Sequence, residues 1–294
     1  MSHAKLTRGW WFILPSLLLL FTIVGVPLYY AARYSLHEVL LFRFRLQPFV
    51  GLENYQRLLE DPLFLGATRT TIVFTLANTV LAVLTGLLIA FLLSNRAVRY
   101  KSLFMAFFLL PFVMTQVVTG VTFRLFIWEA DFGLVNYLLG ALNLPTPGWL
   151  IERHMALPAA VLTNVWRLTP LALLVLYAAL STLSEAIIEA ARIDGAGTWT
   201  LLSRIIVPQI RHHILFVSLI IITSAFREFD TIFTLTGGGP GRQTTVLSIL
   251  AYNRGITNQD MGYANAIAFS MFLIVGVLCW LYITVFRVGQ GGEA

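Results

Sequence analysis

The chain has 294 residues, of which 58% are apolar and only 12% charged, and its formal charge is +6 at neutral pH. Typical globular domains carry about 25% charged residues, so this composition, with a mean hydropathy of +0.80, excludes an ordinary soluble fold and indicates a polytopic membrane protein. A single cysteine, Cys279, excludes a disulfide framework or a cysteine-based zinc site, and basic residues scattered singly between apolar stretches exclude a nucleic-acid-binding face.

A helix needs about 20 mainly apolar residues to cross the hydrocarbon core. Six stretches meet this in chain order: 10–32, 72–93, 103–128, 157–180, 214–235 and 264–286. The expected architecture is an all-α integral membrane protein forming a single transmembrane domain over 1–294. Lys5 and Arg8 before the first run, and Ala31-Ala32 at its end, resemble a signal peptide. The run is longer than the about 7–15 apolar residues of such a segment, which favours a retained span. Arg96, Arg99 and Lys101 crowd the loop between spans two and three and place it in the cytoplasm under the positive-inside rule. Both termini and the segment 181–213 then lie inside, while 129–156 and 237–263 lie outside. Arg33, Arg43, Arg45, Arg57 and Arg69 in the first long loop count against that orientation.

Catalytic constellations are missing from the sequence. Lysine occurs only at Lys5 and Lys101, neither in a Gly-rich phosphate cradle, so the chain has no means of hydrolysing ATP by itself. The run Gly237-Gly238-Gly239-Pro240-Gly241 lacks the lysine and following helix that phosphate binding needs and reads as a tight turn. His212 and His213 are adjacent, hence about 100° apart on a helix, and do not share a metal as an i, i+4 pair would.

The segment 181–213 is too long for a simple helix connection. Thr182 and Glu185 have capping-box spacing, and Glu185, Glu189 and Arg192 form one stripe opposite Ala186, Ala190 and Ile193. Asp194-Gly195 signals a turn, and Thr198 is placed to cap a second short helix carrying Trp199, Leu202, Ile205 and Ile206 as far as Pro208. This predicts a rigid helix-turn-helix knob at the membrane face. A hairpin lying on lipid would favour Lys and Arg on its polar side over two glutamates.

Glu189-Ala190-Ala191, then Gly195, then Ile205-x-Val207-Pro208 resembles the EAA signature of permease subunits in binding-protein-dependent ABC importers, apart from Val207 in place of the commoner leucine and His212 in place of a frequent second proline. The resemblance implies a type I importer permease whose coupling helix, here Glu185, Glu189, Ala190, Ala191, Asp194 and Gly195, seats in a cytoplasmic ATPase subunit. Phe49-Val50-Gly51-Leu52-x-Asn54-Tyr55 and Phe229-Asp230-x-Ile232-x-x-Leu235-Thr236-Gly237-Gly238-Gly239-Pro240 resemble the sugar-permease branch, with a maltose-permease-F-like Gly-Gly-Pro element. Carried over, this implies a multi-pass protein of a prokaryotic inner membrane, paired with a second homologous permease, an ATPase dimer and an external solute-binding protein. ATP and magnesium would reside on the ATPase, leaving this chain with no cofactor and no enzymatic activity of its own.

Ionisable groups within spans default to functional hypotheses, and five appear: Arg124, Arg167, Arg227, Glu228 and Asp230. Arg124, near a span end, can snorkel. Arg227 and Asp230, three apart, are placed to neutralise each other on one helical face. Asn164, Arg167, Leu168 and Leu171 share a stripe, as do Ile221, Ser224, Ala225 and Glu228, while Pro170 frees the carbonyl of Trp166. A sugar needs directional hydrogen bonds and aromatic surfaces, for which Trp166, Phe226 and Phe229 stand nearby. In the resembling family the matching segments line the sugar cavity, so Asn164, Arg167, Leu168, Leu171, Ser224, Ala225 and Glu228 are the expected substrate contacts. An Arg167–Glu228 ion pair that only staples the bundle remains the competing reading. Two arginines against two acids leave the charge of the sugar open. The alternative function, an ion-coupled secondary transporter, would show inverted repeats and discontinuous helices, neither of which is legible here.

Overall fold

The computed structural model describes residues 13–43, 47–95 and 98–288, with side chains to 284. Lys5, Arg8, the start of the first span at Trp10, Arg45 and Arg96 lie outside the described residues. Those described are helical, and their strand-like pairing is confined to the single bridges His37–Phe49 and Leu40–Asp260. Among the described residues four helices are long and apolar enough to cross a membrane: α1 (Ile13–Ser35), α3 (Pro62–Ser94), α7 (Arg153–Ser181) and α13, apolar over Met261–Thr284, while α6 (Leu134–Ala141) and α12 (Leu247–Tyr252) are short. Six spans result if two pairs of helices bent at a break each count as one.

Those bends correct the expectation of unbroken helices. The third predicted span is two helices, α4 (Lys101–Val113) and α5 (Gln116–Ile127), meeting at 97°. Pro111 removes a donor from the last turn of α4, the chain extends at Met114, and Thr115 accepts a hydrogen bond from Val118 N–H to start α5. The second bent pair is the helix Thr198–Gln209 and α10 (Arg211–Phe226), which meet at 76°, and the fifth predicted span is divided once more further along. Helix α10 ends before the apolar pattern does, and α11 (Asp230–Thr236) starts afresh where the Glu228 carboxylate accepts from Thr231 N–H at 3.0 Å. The stripe that was to run from Ile221 to Glu228 is therefore cut before Glu228.

Two compact units divide the chain. The first comprises Met1–Gly66 with Leu247–Val277. In it, none of the apolar window of α1 is buried. The short amphipathic helix α2 (Glu53–Glu60) turns Asn54 and Leu58 inward. Asn54 Nδ2 donates to Ser35 O at 2.9 Å and His37 O at 3.2 Å, and Tyr55 Oη meets Ser35 Oγ at 2.7 Å. Gly51, at φ +59°, makes the preceding turn. The residues of the Phe49–Tyr55 motif thus hold this loop together.

At the end of α2, Asp61 accepts from Arg254 Nη2 at 2.7 Å, Tyr263 Oη at 2.8 Å and Leu63 N–H at 2.9 Å. The guanidiniums of Arg57 and Arg254 lie 4.7 and 5.3 Å from the Tyr263 ring centroid, and Arg57 also pairs with Asp260 at 2.9 Å. Burial alone would raise the Asp61 pKa, but the hydrogen bonds from Tyr263 and Leu63 and the Arg254 charge together hold it below the ordinary value. The native state then binds the Asp61 proton less readily than the unfolded chain. Its stabilisation is present above the ordinary carboxylate range and is lost as pH falls below it. Asp61→Asn should lower the melting temperature of the full chain in detergent at pH 7 and flatten its decline toward acid pH; an unchanged acid limb would remove Asp61 from this role.

The second unit comprises Ala67–Val246 with Leu278–Ala294. Helices α3 and α7 approach through Gly86, where an added Cβ would lie 2.5 Å from Ala172 Cβ and 2.9 Å from Leu173 N, and through the Thr85–Thr169 hydroxyl pair at 2.9 Å. Helix α7 carries Pro158 and Pro170 without breaking. Helices α5 and α11 pack through Gly120, where an added Cβ would overlap Thr234 Oγ1 and lie 2.8 Å from Thr231 O. Such a contact leaves no room for a side chain, so these two half-spans are held together. After α11, Gly237, Gly238 and Gly241 take positive φ, and the Thr236 and Thr244 hydroxyls close the turn at 2.7 Å. The glycine run is thus a turn.

Candidate functional site

The breaks before α5 and α11 converge on one polar cluster in the second unit. Arg167, on α7, donates Nη2 to Glu228 Oε2 at 3.0 Å and to Asn164 Oδ1 at 3.0 Å, with Nε also on Asn164 Oδ1 at 3.3 Å. The side chains of Arg167 and Glu228 are 14% and 0% exposed. Glu228 Oε1 holds the start of α11 through Thr231 N–H, so both of its oxygens are engaged. A buried ion pair of this kind survives desolvation because both carboxylate oxygens and two of the guanidinium nitrogens have directional partners.

The break after α4 brings Gln116 into the same cluster. Oriented to satisfy its amide, Gln116 donates to Asp230 Oδ2 at 2.8 Å and accepts from Arg167 Nη2 at 3.3 Å. Asn164 Nδ2 and Thr231 Oγ1 are buried without a partner. Of the sequence-expected contacts, Asn164, Arg167 and Glu228 come together. Leu168 and Ala225 are packed into the interior at 4% and 1% exposure, and Leu171 and Ser224 are half-buried. Aromatic surface comes from Trp166, which meets Phe123 at 5.1 Å, and from stacked Phe229 and Phe233 at 5.0 Å, while Phe226 is buried. Arg227 and Asp230 do not neutralise each other as expected: the helix ends between them, and Arg227 Nε donates to Thr223 O. Arg124 is exposed and reaches Thr234 O at 3.5 Å.

Sequence reasoning missed Gln116 altogether and left Asp230 outside the site. The signal for Gln116 was local, a proline followed four residues later by a capping threonine.

The segment 181–213 folds as helix α8 (Glu185–Ile193), a turn, and helix α9 (Thr198–Gln209). Gly195 makes the turn at φ +82°. Two details differ from expectation. Ser184, not Thr182, precedes α8, because the Thr182 hydroxyl donates to Ala179 O at the end of α7. Gly197, not Thr198, precedes α9, which ends at Gln209, one residue past Pro208 as expected, and whose middle turns are wound as a π-helix over Leu201–Ile206. Glu185, Ile188, Glu189 and Arg192 line a cavity of about 210 Å³ together with Phe91, Leu92, Ser94 and Asn95 at the end of α3 and Leu201 and Ile206 of α9. Of the other expected docking residues, Ala191 is buried, whereas Ala190 and Asp194 are exposed. Ile187, Ile193 and Trp199 are 45%, 86% and 77% exposed. The polar stripe lines the cavity while staying exposed, and the bulky apolar side chains are exposed as well, which leaves apolar surface open on the hairpin.

Among the described residues no group of three His, Cys, Asp or Glu is placed to hold a metal ion.

Residues 79–289 match the family described as binding-protein-dependent transport system inner membrane component. The chain is 34% identical to a probable ABC transporter permease, y4oQ, of Sinorhizobium fredii, over 96% of this chain and 90% of the relative. It is 33% identical to the trehalose/maltose transport system permease protein MalF of Thermococcus litoralis, over 98% and 96%. Among solved structures, it resembles a chain of a bacterial alginate ABC transporter in complex with alginate pentasaccharide-bound periplasmic protein, with a TM-score of 0.80, 19% identity, and coverage of 99% of this chain and 98% of that one.

Proposed function

The chain belongs to the family of binding-protein-dependent transport system inner membrane components, and from that membership we propose that it is one permease domain of an ATP-driven sugar importer. In this reading it forms half of a translocation path with a second, homologous permease. Sugar arrives from an external binding protein, and ATP is hydrolysed on separate ATPase subunits that carry the nucleotide and magnesium. The cluster of Asn164, Arg167 and Glu228, flanked by Trp166 and Phe229, is the proposed sugar contact. The observation that carries the reading is the α8–α9 hairpin, which turns Ile187, Ile193 and Trp199 outward and so presents a surface suited to a protein partner rather than to water. An ion-coupled secondary transporter accounts for the broken spans but leaves that hairpin without a role. The relatives' names leave the charge of the sugar open, since one serves trehalose and maltose and a structural neighbour is involved in importing an acidic polysaccharide.

The proposed topology puts both termini and the hairpin in the cytoplasm. With Cys279 replaced by serine, Trp199→Cys should be shielded from an impermeant thiol reagent in whole cells, whereas Gln243→Cys, exposed beside the glycine turn, should react. Labelling of Trp199→Cys from outside would invert the topology and remove the ATPase-docking role. The same cells should yield the chain co-purified with a second permease and an ATPase.

A further inference from the structure

Resting on the sugar-importer reading, we propose that the half of the path built by this chain selects neutral sugars and turns acidic ones away. One guanidinium, Arg167, stands in the cluster with two carboxylates, Glu228 and Asp230, and its donors are directed to Glu228 Oε2, Asn164 Oδ1 and the Gln116 amide oxygen. The two other arginines within these spans, Arg227 and Arg124, are exposed, with Arg227 Nε donating to Thr223 O and Arg124 Nη1 reaching Thr234 O, so their charges are screened rather than buried with the cluster. The cluster therefore carries net negative charge with its cation already paired, in surroundings where Glu228 is buried and Asp230 half-buried. Reduced dielectric magnifies that charge.

A sugar hydroxyl both donates and accepts, so a neutral sugar can donate to the Asp230 carboxylate in place of Gln116. The donor the cluster offers it is Asn164 Nδ2, buried without a partner. The ionised group of a uronate, phosphate or sulfonate brings only acceptors and a like charge to a site rich in acceptors. To gain a cation it would have to take Arg167 from Glu228, which strands the carboxylate that starts α11.

The test uses the assembled importer, both permeases with their ATPase, in detergent and without the external binding protein, so that selection by the path is read alone. Saturation-transfer NMR at fixed ionic strength compares maltose and trehalose with a galacturonate trimer and trehalose 6-phosphate. The neutral probes should saturate at concentrations about tenfold or more below the acidic ones, and the isosteric Asp230→Asn variant should narrow that gap by about threefold or more. Acidic probes binding the wild-type assembly as tightly as neutral ones would overturn the proposal, whether or not the variant assembles. An unchanged gap in an assembled Asp230→Asn variant would overturn it as well. A wild-type assembly that hydrolyses ATP yet binds none of the four probes would instead overturn the sugar reading on which the proposal rests.

Discussion

Glu189→Ala and Gly195→Pro should each leave the chain inserted while abolishing the ATP hydrolysis that substrate and the external binding protein stimulate. Gly195 sits at φ +82°, where proline, fixed near φ −65°, cannot follow without rebuilding the turn. That turn sets the angle between α8 and α9 and hence whether Ile193 and Trp199 present one surface. Glu189 lies on the cavity side of α8 yet is exposed, so it is available to a partner that grips the hairpin. Losing one charged contact costs about 1.5–3 kcal/mol, which is roughly tenfold to a hundredfold in docking affinity. Stimulated ATPase activity of the reconstituted importer is the measurement, with co-purification of the ATPase as its companion. Normal stimulated rates in both variants would sink the assignment of the hairpin as the coupling element.

What was legible in the sequence follows from what kind of force writes each feature. Helices α1, α3, α7 and α13 are long apolar runs, and the bilayer requirement for internal backbone hydrogen bonding makes such runs helical wherever they occur. The Gly195 turn and the two short helices around it were legible for a different reason, because turn chemistry and amphipathic spacing are local. Capping was only half legible: spacing pointed to Thr182, but its hydroxyl bonds back to Ala179 O, a choice between two carbonyl and amide neighbours that spacing does not encode.

The first break was hidden because only Met114 and Thr115 separate two apolar runs, and the second because Arg227, Glu228 and Asp230 read as charges inside a continuing helix. The first was written in Pro111 and Thr115. The second depends on Glu228 turning its carboxylate onto Thr231 N–H while Arg167, 61 residues away in sequence, holds the other oxygen. Intramembrane charges are few enough that Arg167 and Glu228 could be paired on paper. Gln116 could not, since an uncharged amide does not stand out in an apolar run and only the 97° bend brings it to Asp230.

That double duty of Glu228 decides how its pairing with Arg167 is to be tested. Removing Arg167 alone strands a fully buried carboxylate and should destabilise by about 3–5 kcal/mol under any functional reading. Replacing Glu228 with leucine would also leave Thr231 N–H unpaired and would disturb the start of α11. The informative variant is Arg167→Met with Glu228→Gln, which removes both charges, conserves volume and keeps a carbonyl oxygen for Thr231 N–H. If the pair is only a staple, this variant should assemble with its partners and transport normally, because well-packed neutral replacements of buried ion pairs are often neutral or stabilising. If the pair contacts sugar, the variant should co-purify with its partners at wild-type thermal stability yet lose uptake in proteoliposomes, since a site built to hydrogen-bond hydroxyls discriminates by about 10⁴ or more when those groups are mismatched. The expected result is loss of uptake with retained assembly. Wild-type uptake kinetics in the double variant would falsify the sugar contact and leave Arg167 and Glu228 as the joint that holds the broken span to α7.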